Sequence, residues 1–193
     1  MNNINSRLTA ENISFRINNS LKAFGFALAV LGIFACSSGA NDGNHQRADI
    51  IKNRDSVIEV IGEMDHLLAQ QIKNSFAYAV FSNRKIDTLT VPDNLFIGTI
   101  RNNNDGQNYY LLADQFPQND PLSDYVLVFK NRSHFDEFIS YAKPINQRTD
   151  LNNHQVISLN NISVDSYLLV SKQSIKQLTE LDARFWQSKR LMY

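Results

Sequence analysis

The chain has 193 residues, a formal net charge of +0 and a single cysteine. That length suits one domain with a real core, and a lone cysteine excludes an internal disulfide or a thiolate metal site. No basic excess marks the chain for nucleic acid or for a polybasic membrane patch.

The start carries an address. Arg7, Arg16 and Lys22 precede an unbroken apolar or small run, AFGFALAVLGIFA, which ends on Cys36; Ser37, Ser38 and Gly39 follow. A positive leader, a short apolar core and small residues at the exit form a secretory signal peptide, 1–35. With the cysteine at the exit, the segment resembles a bacterial lipoprotein signal whose lipobox is Ile33-Phe34-Ala35-Cys36. In that class the cysteine thiol is diacylated and cleavage leaves it as the new N-terminus, which makes Cys36 the lipidation site. The core falls short of the roughly 20 apolar residues of a comfortable span. Other readings are a plain signal peptide ending at Ser38-Gly39-Ala40, an uncleaved anchor, or a buried core helix. Removing the leader takes three basic residues and one acidic residue, and leaves net −2.

Residues 36–47 read as a lipidated flexible tether, since SSGANDGNHQ is small, polar and without periodicity. The rest, 48–193, reads as a single α+β domain. Ile50, Val57, Ile61, Met64, Leu68 and Ile72 recur at helical spacing, which predicts an amphipathic helix over 48–74 with a break near Gly62. Strands are predicted over 76–81, 86–91, 95–101 and 108–113, with an Asn/Asp-Gly hairpin turn at 102–107. The segment 115–124, with Pro117 and Pro121, reads as a loop. A strand follows over 125–130. A short helix comes next over 134–142, capped by Ser133 with Asp136 at the capping-box position and ended by Lys143-Pro144. Strands are predicted over 155–159 and 164–170. In 171–190, Ile175, Leu178, Leu181 and Phe185 suit one helix face, while Leu181, Ala183 and Phe185 also alternate as a strand; pattern favours helix. The expected fold is a mainly antiparallel sheet of about six to eight strands with an N-terminal amphipathic helix and one short helix.

Few residues point to chemistry. The loop 101–106 brushes a calcium-loop pattern, but Arg101 and Leu112 stand where carboxylates belong, so a hairpin turn fits better. His45, His66, His134 and His154 lack partners at zinc spacing. No nucleophile elbow, phosphate loop or dinucleotide fingerprint occurs, so no cofactor and no catalysis are expected. Asp114, Asp120 and Asp124 surround the Pro-containing loop and could hold a hydrated cation; solvated loop carboxylates fit better. Tyr109-Tyr110 read as cross-strand packing rather than a sugar platform.

The order of these segments carries a resemblance. Phe76-Ala77-Tyr78-Ala79-Val80-Phe81-Ser82 with Arg84-Lys85 comes first, then the strand pair over 95–113. Tyr125-Val126-Leu127-Val128-Phe129-Lys130 with Phe135-Asp136-Glu137-Phe138 follows, and then Leu168 to Ile175 and Asp182-Ala183-Arg184-Phe185. From about Leu67 to Trp186 the chain thereby resembles the SYLF lipid-binding domain of bacterial secreted proteins and lipoproteins. The resemblance implies a strand pair in the tail and a lipid-binding role. It also implies that Lys85 and Lys172, at the basic turn positions, contact lipid headgroups; ordinary surface lysines are the alternative. Ser37, where such lipoproteins carry Asp for inner-membrane retention, implies the periplasmic face of the outer membrane. The expected partners are membrane lipid through acylated Cys36 and a phospholipid ligand. The alternative is an envelope protein met through a strand edge or the hairpin tip.

Overall fold

The computed structural model describes residues 38–83, 94–117, 123–144 and 155–192. Cys36, Lys85, Asp120, His154 and the strand expected over 86–91 lie outside them. The chain divides into two compact units, Met1–Asp42 and Gly43–Tyr193, and the second carries the sheet.

Helix α1 spans Ser38–Met64 and α2 spans His66–Asn74. The segment expected as a flexible tether is therefore helical from Ser38. The fold takes up its polar residues: Gln46 is 2% exposed, and the Arg47 guanidinium donates to the Leu191 carbonyl at 3.2 Å. The break expected near Gly62 falls at Asp65, whose carboxylate accepts from the Leu67 and Leu68 amides at 3.0 and 2.9 Å. A carboxylate there satisfies two of the amides that every helix start leaves without partners.

Among the described residues eight strands follow: β1 Ala77–Ser82, β2 Phe96–Asn102, β3 Asn108–Asp114, β4 Ser123–Phe129, β5 Ile157–Ser158, β6 Asp165–Val170, β7 Ser174–Leu178 and β8 Asp182–Gln187. Between β4 and β5 lies α3, Arg132–Tyr141; a 3-10 helix, Leu159–Ile162, follows β5, and α4 spans Lys189–Met192. All pairings are antiparallel, in the order β5-β8-β3-β2-β1-β4-β6-β7. The fold is α+β, as the sequence implies.

This order requires curvature. Strands β7 and β8 stand six places apart, about 29 Å in a flat sheet. Yet only Thr179, Glu180 and Leu181 join them, a reach of about 14 Å. The sheet curls, and its two edges approach each other where Leu178 leads to Asp182.

The two faces separate by strand parity. The concave face gathers Ala77, Ala79, Phe81, Phe96, Ile100, Leu111, Tyr125, Leu127, Phe129, Leu168 and Phe185, with Phe135 and Phe138 from α3. Rings fill it: Phe116 stacks on Tyr125 at 4.1 Å, and Phe138 meets Phe185 edge-on at 4.9 Å. On the convex face Val80, Val126, Val128, Tyr167 and Leu169 pack under Val57, Ile61, Leu68 and Ile72 of α1 and α2. Two-sided burial explains the continuous apolar runs of β1 and β4.

Three local expectations are corrected. The tail is strand, not helix: β7 pairs with β6, and β8 with β3 and β5. The strand pair implied by the resemblance is present, although its members lie toward opposite edges. Helix α3 is capped by Asn131, which accepts from the His134 amide at 3.0 Å, rather than by Ser133. Strand β5 is two residues long, because Leu159 turns into the 3-10 helix.

Candidate functional site

Lys172 sits in the turn that joins β6 to β7. Ser171 and Lys172 have φ of 49° and 58°, and the Gln173 amide donates to the Val170 carbonyl at 2.9 Å. Two successive left-handed residues match the right-handed strand twist and make a tight hairpin. The turn presents Lys172 to solvent, with its ammonium 3.5 Å from Ser56 Oγ on α1. Farther along, β7 forms one flank of the sheet, with Ser174, Lys176 and Gln177 exposed and Ile175 and Leu178 half-buried. Cys36 and Lys85 cannot be placed beside this turn, since both lie outside the described residues.

Asp114 and Asp124, at the two ends of the Pro-containing loop, are buried rather than solvated. Asp114 is 5% exposed at the end of β3, and Arg184 of β8 grips it through Nε at 2.8 Å and Nη2 at 2.5 Å. The hydrogen bond to Asp114 lifts the Arg184 guanidinium above its ordinary value, against burial, which lowers it. Asp124 is fully buried in β4 and accepts from Ser82 Oγ, to which Asn53 of α1 donates at 2.9 Å. The expectation of solvated loop carboxylates misses for these two because Asp114 ends β3 and Asp124 belongs to β4. Among the described residues no group of three or more His, Cys, Asp or Glu could hold a metal ion.

The hairpin at 102–107 forms as expected, with Gly106 at φ 74°. It also serves the helices. Asn103 Nδ2 donates to the Ile72 and Ser75 carbonyls, each at 3.0 Å, closing the C-terminal end of α2. Tyr109 and Tyr110 are cross-strand packing residues: Tyr109 meets Phe135 edge-on at 5.5 Å, and Tyr110 packs beside Ile50 and Ile97.

A pocket that no sequence pattern announces lies at the seam where the sheet's edges approach. It has a volume of about 180 Å³ and lies between α3, β5, the 3-10 helix and β8. Ile157 and Ile162 are its buried floor, Tyr141 and Val156 its exposed apolar rim, and Asn161 and Asp182 its polar wall. The register sets Asp182 opposite Ser158, which fixes its place at the pocket.

Among the described residues no helix is long and apolar enough to cross a membrane. No protein-family model matches the chain, and no curated protein matches it.

Proposed function

We propose that this chain is a non-catalytic lipoprotein of the bacterial envelope, held to the periplasmic face of the outer membrane by acylated Cys36. It binds membrane lipid through its surface. The observation that carries this reading is the solvent-facing Lys172 on the tight β6–β7 turn, the position at which the SYLF-like order of elements puts a basic residue. Apart from its 3.5 Å contact with Ser56 Oγ, the ammonium keeps donors that can meet an anionic headgroup. Rings fill the concave face, so this reading takes lipid recognition to be a surface contact. The net −2 charge of 36–193 opposes broad attraction to anionic bilayers, so binding is local and modest.

Liposome flotation tests it. A chain beginning at Ser37 lacks the acyl site but keeps all of α1. It is expected to float with anionic vesicles at low salt, and Lys172→Glu to weaken the association about fivefold, from about 1 kcal/mol per lysine near such a surface. No flotation on any lipid mixture would refute surface lipid binding.

A second reading, an envelope assembly or protein-binding lipoprotein, is favoured by strand β7, which pairs with β6 alone among the described strands. An open edge can accept a partner's strand. Crosslinking from Gln177, rather than flotation, would report it.

A further inference from the structure

We infer that the pocket between α3, β5, the 3-10 helix and β8 binds a small organic cation, an alkylammonium group. The one charged side chain in its lining is the Asp182 carboxylate. Among the described residues nothing pairs with it, whereas Asp114, Asp136 and Asp165 each hold a cationic partner. Beneath it lie Ile157 and Ile162, 6% and 3% exposed. Beside it stand Tyr141 and Val156, 40% and 44% exposed. These are two of the four large apolar side chains that the described residues leave exposed, and they share one rim.

A carboxylate beside an aromatic ring over an apolar floor is matched to an ammonium with a short alkyl stem. The charge pairs with Asp182, the ring face attracts the cation, and the methylenes lie on the isoleucines. A carboxylate or phosphate ligand would meet like charge. A wholly apolar one would strip water from Asp182 without replacing it. The volume of about 180 Å³ is below the roughly 300–1,000 Å³ of ordinary ligand pockets, so it admits a headgroup-sized moiety and excludes an acyl chain or a nucleotide. The pocket lies at the end of β7 away from Lys172 and does not depend on the membrane reading.

The experiment titrates the full chain, in a non-ionic detergent, with n-butylammonium, n-butanol and butyrate. Backbone amide NMR shifts of Ile157, Ser158, Asn161 and Asp182 are followed. Saturable shifts are expected with n-butylammonium alone. Asp182→Asn, a near-isosteric change at an exposed position, is expected to weaken binding about fivefold with an unchanged melting temperature. Tyr141→Ala is expected to weaken it independently. A parallel titration with glycerophosphoethanolamine separates two sources of the same chemistry. Saturation there assigns a phospholipid headgroup, and saturation with n-butylammonium alone assigns a soluble amine. Shifts that fail to saturate, that n-butanol reproduces, or that survive Asp182→Asn undiminished would overturn the assignment.

Discussion

The Phe81 ring lies across Gly98, its partner on the neighbouring strand, in the space that a Cβ at position 98 would need. The same ring meets Phe185 at 5.2 Å and Phe116 at 5.8 Å, so it cannot retreat without disturbing the concave core. Glycine at 98 is thus set by the ring opposite it. Gly98→Ala is expected to cost about 3 kcal/mol, at the upper end for overpacking. Phe81→Leu should relieve part of that cost in the double variant, which a urea-denaturation cycle would measure. Additive losses would show that the two positions do not share space.

Helix α2 is closed at its two ends by two polar side chains. Asp65 satisfies amides at the start of α2, and Asn103 satisfies carbonyls at its end. Asp65→Ala and Asn103→Ala are each expected to lower stability by about 1 kcal/mol. Chemical denaturation checks both, and Asp65→Asn should avoid most of the loss, since its amide oxygen can still accept.

Val128 is fully buried on the convex face, beneath α1 and α2. Val128→Asp places a carboxylate there without a partner, and a loss of about 3 kcal/mol or more is expected. Lys176→Asp on the exposed flank should change stability by no more than about 0.5 kcal/mol. Nearly wild-type melting of the Val128 variant would contradict the sheet assignment.

How far the sequence discloses this fold depends on burial. Strands β1 and β4 are legible because both faces are covered, so FAYAVF and YVLVF are apolar throughout. Strand β7 is not, because an edge strand buries little: Ile175 and Leu178 are its only half-buried residues, and with Leu181 and Phe185 they imitate a helix face. Its turn is equally silent, since Ser171 and Lys172 take the left-handed conformations that glycine or asparagine usually announces. The start of α1 hides for the opposite reason. Its residues read as polar linker, and what fixes them includes the Arg47 bond to the Leu191 carbonyl, 144 positions away. The seam pocket is assembled by sheet curvature, which no local pattern records. Lys172 was legible as a turn residue only through the family resemblance.

Four tyrosines provide a pH signature. Burial raises the phenols of Tyr78, Tyr109, Tyr110 and Tyr167; the Arg54 guanidinium, 5.9 Å from the Tyr78 ring centre, opposes this at Tyr78 without cancelling it. The folded chain therefore holds these protons more tightly than the unfolded one. Their contribution is intact below the ordinary tyrosine value of about 10 and is lost as pH rises through the higher folded values. Melting temperature should fall with pH above that point, and less steeply in Tyr78→Phe. Identical alkaline slopes for the two proteins would contradict the assignment for Tyr78.

The central claim is that this chain works as an acylated envelope lipoprotein, and mass analysis of the membrane-extracted protein from a bacterial host with lipoprotein processing tests it most directly. The expected product begins at Cys36 and carries acyl chains on that residue, while Cys36→Ser remains unprocessed and unacylated. An unmodified N-terminus at or beyond Ala40, or a Cys36→Ser protein cleaved and membrane-bound like the wild type, would contradict it.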